Sequence, residues 1–265
     1  MKHTLIYILI HIISFSSCTS DKAKKQIKTT VSAATTEKPA ITPKEKAKPK
    51  EKTYPRITNK NVKSFLTAYG KENPETVIRL TCPYGDIDIR LYQNTPLHRA
   101  DMIYLTKRGY FDLTQFYRVS QNFVDQAGNS DEWPCQEMRA KIGGYVLPAE
   151  FRKANIHKYG SVAMARRYDK NPKKSSSPFE FYIVLGQKYS KTEIKAHERE
   201  FGTSYTPAQY KIYETIGGTP YLDEQHTVIG EVIAGMDVAI ALNKVKVDNR
   251  EWPLTEIPIS MKVLR

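Results

Sequence analysis

Residues 116 to 129 read "FYRVSQNFVDQAGN" and set an arginine (Arg118), an aromatic ring (Phe123) and an amide (Gln126) close together in the chain. Phe116, Val119, Phe123 and Val124 are core types, and an unpaired charge buried among them would be expensive. A guanidinium in such company needs a partner or a task. The chemistry on offer is hydrogen-bond donation beside an apolar surface. Taken alone, it leaves two readings open. Arg118 is either a strand-edge residue whose stem lies on apolar surface with its head in water, or a donor aimed at a bound molecule.

The elements that must position these residues are mostly short strands. "TVIRLTCPYGDIDIRLY" alternates apolar and polar residues on either side of Tyr84-Gly85, the pattern of two strands joined by a tight turn. "NTPLHRADMIYLTKRGYF" follows as a helix with Thr95 as N-cap, Pro96 in the first position and Gly109 at its end. Further β-type runs are "TQFYRVS", "GSVAMARR" and "FEFYIVLG". Residues 190 to 216 interrupt them: "SKTE" is a capping box and "TPAQ" a second helix start, so two short helices are expected, closed by Gly217 and Gly218. The β pattern resumes at "YLDEQHTVIGEVI", with a helix around Asp237 to Leu242 and a last strand in "EIPISMKVL". The whole predicts a mainly β domain over residues 55–265, a closed barrel capped by helices with a short helical insertion.

The N-terminus has a different character. Lys2, an apolar run from Leu5 to Phe15 and the small residues Ser16 and Ser17 before Cys18 read as a signal peptide over 1–17. The run is shorter than the ~20 residues a membrane-spanning helix needs. "FSSC" resembles the lipobox of bacterial lipoproteins, which implies acylation at Cys18, with a plain secretory signal as the alternative. Residues 18–54 are rich in Lys, Thr, Ala, Pro and Glu and read as a disordered basic tether. Twelve of the basic and four of the acidic residues lie between Asp21 and Lys60, so the net charge of +13 falls to about +4 over residues 61–265. The charge is therefore the tether's, and no nucleic-acid partner is expected of the folded part. Cys82 and Cys135 remain, with no Cys/His cluster around them to suggest a metal or a thiol nucleophile. Whether they pair is left open.

The order of these pieces resembles a cyclophilin, the peptidyl-prolyl cis-trans isomerase family, from about Val77 to Leu264. "FYRVSQNFVDQAGN" is similar to that family's Phe-His-Arg…Phe…Gln-Gly-Gly-Asp segment and "GSVAMARR" to its Gly…Met-Ala strand. "FEFYI" is similar to Ser-Gln-Phe-Phe-Ile, and "YLDEQHTVIGEV" to Trp-Leu-Asp-x-x-His-x-x-Phe-Gly-x-Val. The resemblance implies an eight-stranded antiparallel barrel and a prolyl isomerase needing no cofactor and no metal. It implies Arg118 and Gln126 as catalytic residues, and Phe123, Val124, Tyr182, Leu222 and His226 around a proline pocket. Ala165 and Arg166 would receive the peptide backbone. Three departures carry expectations of their own. Glu180 stands where the family has a pocket glutamine, which would set an anion near Arg118. Ala127-Gly128 replaces Gly-Gly, and Tyr221 replaces a tryptophan, so weak inhibition by cyclosporin is expected. The implied substrates are proline-containing polypeptides outside the cytoplasm, met by a lipid-anchored monomer in the cell envelope facing the periplasm. A catalytically weak chaperone or proline-peptide binding module on the same fold is the alternative.

Overall fold

The computed structural model describes residues 53–265; the signal, Cys18 and nearly all of the tether lie outside the described residues. Tyr54, read from sequence as tether, packs its ring 5.3 Å from that of Tyr104 and 5.8 Å from that of Tyr69. Two short strands, β1 (Ile57–Thr58) and β6 (Gly143–Gly144), pair in parallel.

The main sheet is antiparallel throughout. It comprises β2 (Val77–Cys82), β3 (Gly85–Leu91), β4 (Gln115–Ser120), β5 (Val124–Asn129), β7 (Ser161–Met164), β8 (Phe181–Val184), β9 (Val228–Ala234), β10 (Ile257–Pro258) and β11 (Ser260–Val263). The hydrogen-bonded order is β10-β4-β5-β8-β7-β9-β3-β2-β11. β10 and β11 are one chain segment bent at Ile259, whose N–H donates to Thr114 O at 3.0 Å. The C-terminal segment thus pairs with β4 at one end and β2 at the other and draws the sheet into a nearly closed barrel. Counted as one bent strand it makes the eight expected; counted separately the strands number nine. Pro258 has no N–H for a ladder, and proline in a sheet belongs at such a bend.

The helices follow from local signals of unequal strength. α2 (Pro96–Lys107) starts after Thr95 as read, and nine consecutive residues, His98 to Thr106, are buried. α4 (Lys191–Phe201) and α5 (Pro207–Thr215) both form their capping boxes, Ser190 with Glu193 and Thr206 with Gln209. α6 (Met236–Leu242) packs beside β3. Two helices were not anticipated, α1 (Val62–Glu72) and α3 (Trp133–Ile142); neither has a side-chain cap at its start. The end of α1 is capped instead from afar: Arg99 donates to the carbonyls of Gly70, Asn73 and Glu75 at 2.8–3.1 Å. Cys82 and Cys135 are both buried free thiols, which answers the pairing left open above.

β7 and β8 are buried on both faces, and this positions the site. Side chains alternate along a strand, so Phe181 and Ile183 face the barrel core while Tyr182 and Val184 face outward. The outward set joins Val124, Ala163, Ala165, Leu222 and Val228 in a second, smaller apolar cluster flanked by Phe123 and Tyr221. A second layer over one outer wall of the barrel is what a binding pocket needs beneath it.

Candidate active site

The pairing of β4 with β5 resolves the problem posed by "FYRVS". Phe116 pairs with Ala127 and Arg118 with Gln126, so Tyr117 is an extra residue on β4. In a regular strand Phe116 and Arg118 would share a face. The bulge at Tyr117 breaks the alternation, so Phe116 and Val119 enter the core while Arg118 stands beside Gln126 at the pocket. Gly128 is the matching irregularity on β5. Its φ is +96°, and a Cβ there would sit 2.1 Å from Phe179 O, so only glycine fits. Ala127, by contrast, is fully buried in the barrel core.

Nine of the ten binding and catalytic residues expected from sequence line one cavity of about 350 Å³: Arg118, Phe123, Val124, Gln126, Ala165, Arg166, Tyr182, Leu222 and His226. The Arg118 guanidinium carbon lies 5.4 Å from the Phe123 ring centre, and Phe123 stacks on Tyr221 at 5.7 Å. Nε and Nη2 of Arg118 both reach Glu251 Oε2 at 2.7 Å. Gln126 Nε2 donates to the Tyr117 hydroxyl, which leaves the amide oxygen of Gln126 as its remaining acceptor.

The base of the pocket is fastened by buried polar groups. Tyr182 and His157 Nε2 are 3.1 Å apart, and His157 Nδ1 lies 2.7 Å from Asp223 Oδ1. With Nδ1–H donating to that carboxylate, Nε2 is left to accept from the Tyr182 hydroxyl. Asp223 Oδ2 accepts from Tyr213 on α5, so the insertion is tied to the pocket floor. His226 donates from Nδ1 to Met164 O at 3.0 Å, and its Nε2 accepts from Tyr168 at 2.8 Å. Burial, reinforced by His157, lowers the His226 pKa to about 3, so this ring is neutral at physiological pH. Tyr168 completes the lining, with Arg166 4.1 Å above its ring.

Ala165 and Arg166 follow the end of β7 and differ in what they leave free. Ala165 N–H donates to Glu180 O and its carbonyl accepts from Ser177 N–H, at 2.9 and 2.8 Å. Arg166 has no backbone–backbone partner among the described residues.

Glu180 stands apart from the other nine. It does not line the cavity, and its carboxylate faces Arg139 at 3.4 Å. The register explains this: Gln126 pairs with Tyr182, so Glu180, two residues earlier and just before β8 begins, lies toward Asn129 and α3. The cation there is Arg139, which also donates to Asn129 Oδ1 at 2.5 Å. The anion beside Arg118 is Glu251, 133 residues away in sequence. Glu251, Tyr117 and Tyr168 were all missed. Tyr117 carried a signal, since it lies between two residues that could not share one face. Glu251 and Tyr168 carried none beyond being polar residues in loops.

A bulged β-hairpin thus presents a donor and an amide over an aromatic-floored pocket on the barrel's outer wall. Residues 77–263 match the family described as "Cyclophilin type peptidyl-prolyl cis-trans isomerase/CLD", and the chain belongs to that family. The peptidyl-prolyl cis-trans isomerase cypE of Dictyostelium discoideum is 29% identical over 189 residues, covering 70% of this chain and 95% of cypE. The peptidyl-prolyl cis-trans isomerase sig-7 of Caenorhabditis elegans is 23% identical over 187 residues, 68% of this chain but 36% of sig-7. A crystal structure of a Cryptosporidium parvum cyclophilin type isomerase shares the fold with a TM-score of 0.51 at 19% identity, over 72% of this chain and 98% of that one.

Proposed function

We propose that the cavity holds the proline ring of an X–Pro segment while Arg118 and Gln126 act on the bond preceding it. The barrier to rotation about a peptide bond is about 18–20 kcal/mol because twisting removes amide resonance. No bond is made or broken, so the residues need only favour the twisted state. As resonance is lost, the proline nitrogen regains a lone pair to which a guanidinium can donate. The Gln126 amide and the free backbone groups of Arg166 hold the flanking chain. Such contacts accelerate the rotation only by being stronger in the twisted state. The observation that carries this reading is the convergence of Arg118, Gln126 and Phe123 on one cavity. A related structure was obtained in the presence of the dipeptide Ala-Pro, a ligand of the class proposed here. The weak-binder alternative rested partly on an anion beside Arg118; that anion is Glu251 and not Glu180, whose carboxylate faces Arg139, and the measurement below separates the two readings. The test is acceleration of X–Pro exchange in a peptide by the purified protein, and its loss in Arg118→Ala.

The cellular setting belongs to the same proposal. The charged start, short apolar run and small residues before Cys18 support export and lipid anchoring, with residues 18–54 as spacer. The substrates are then exported polypeptides, met by a monomer at the cell envelope. Mass spectrometry of the mature N-terminus, with Cys18→Ala beside it, reads the modification directly. An unmodified chain beginning before or after residue 18 contradicts the anchor.

A further inference from the structure

Glu251 lies outside every motif read from the sequence, yet it makes the closest polar contacts to Arg118. Its Oε2 accepts a hydrogen bond from Nε at 2.7 Å and forms an ion pair with Nη2 at 2.7 Å, and Ser120 donates to its other oxygen at 2.6 Å. Neither Nη1 nor Nη2 makes a protein hydrogen bond among the described residues, and only Nη2 lies against the carboxylate, so Nη1 is the nitrogen left clear for a ligand. The backbone of Glu251 is held as firmly. Val119 N–H donates to its carbonyl at 2.8 Å, and Asp248 closes the turn by accepting from Arg250 and Trp252 N–H at 2.8 and 2.9 Å. Glu251 itself has φ +64°, a left-handed conformation that favours glycine. Strain of this kind persists where surrounding structure over-determines a residue, and it clusters at working sites. The next residue, Trp252, packs 6.0 Å from the ring of Tyr117, the residue that holds Gln126.

We infer that Glu251 is a positioning residue for the isomerase reaction: it fixes the Arg118 guanidinium so that Nη1 is presented to the twisting amide. The inference rests on the reading of Arg118 as the donor. A free arginine has many rotamers, and ordering it only when substrate binds would weaken the twisted-state contact. A carboxylate clamp on the far edge of the fork orders it beforehand. The partly exposed pair lowers the local charge, but the Nη1 protons remain available.

The test uses the full chain with Glu251→Gly, Glu251→Gln, Arg118→Ala and the Arg118→Ala/Glu251→Gly double variant. Glycine suits φ +64°, so Glu251→Gly should unfold at a temperature no lower than the parent, which separates positioning from folding. The expected result is a fall in kcat/KM of about tenfold for Glu251→Gly, carried by kcat with KM little changed, because misplacement of a reacting group is costly. Glu251→Gln keeps a hydrogen-bond acceptor and should lose about threefold or less. In the Arg118→Ala background Glu251→Gly should cost nothing more. Unchanged or raised activity in Glu251→Gly, or an equal further loss without Arg118, overturns the assignment. If Arg118→Ala retains full activity, the donor reading itself has failed and the positioning role falls with it.

Discussion

Asp125 lies between Val124 and Gln126 on β5, fully buried, and gives the most demanding test of the packing described above. Asn243 donates to its Oδ1 at 2.6 Å, and its Oδ2 has no hydrogen-bond partner. Burial raises its pKa to about 7 against only partial relief from Asn243. In the unfolded chain the same carboxyl titrates near 3.9. Between these values the folded protein holds a proton that the unfolded chain has released. Stability from this group is therefore fully present below about pH 4 and is lost as pH rises toward 7. At about 1.4 kcal/mol per pH unit, the loss over roughly three units approaches 4 kcal/mol. Asp125→Asn imitates the protonated acid. It should match the parent at pH 4 and exceed it by a few kcal/mol at pH 8, read as urea midpoints across pH. X–Pro exchange should be unaffected, since Asp125 does not line the cavity. Equal destabilisation at every pH would refute the reasoning, because the native carboxyl would then be ionised and held by a donor.

Three further outcomes follow from the same geometry. His226 has the opposite linkage: its lowered pKa means the unfolded chain gains a proton first, so stability is present above about pH 6.5 and lost as pH falls toward 3. His226→Gln should flatten that acid limb in urea titrations. Gly128→Ala should cost about 3 kcal/mol or more, or prevent folding, because the added carbon meets Phe179 O; thermal denaturation measures it. Tyr182→Phe removes the partner of His157 Nε2 but keeps the apolar wall. It should cost about 1 kcal/mol of stability while leaving KM for an X–Pro peptide nearly unchanged.

Much of this site was legible because its residues carry local constraints. An arginine within a core-like strand, strands of unbroken apolar residues and two capping boxes each limit what the chain can do nearby. α4 and α5 were readable for that reason, whereas α1 has no side-chain cap bond at its start and is secured by Arg99 from another helix. Glu180 shows the complementary failure. It stands just before β8, and the identity of its ion partner depended on where α3 placed Arg139. Glu251 was invisible for the same reason, since its pairing with Arg118 spans more than half of the folded domain. Contacts between distant segments are set by tertiary packing, and no periodicity records them.

The central claim is that Arg118 donates to the twisting bond rather than merely lining a pocket. The most direct measurement is X–Pro exchange in one peptide with the parent protein and with Arg118→Ala, alongside the peptide affinity of each. The account predicts acceleration by the parent and a loss of about a hundredfold in kcat/KM in the variant, as for removal of a single transition-state donor, with affinity little changed. No acceleration by the parent, or equal acceleration by Arg118→Ala, would contradict it.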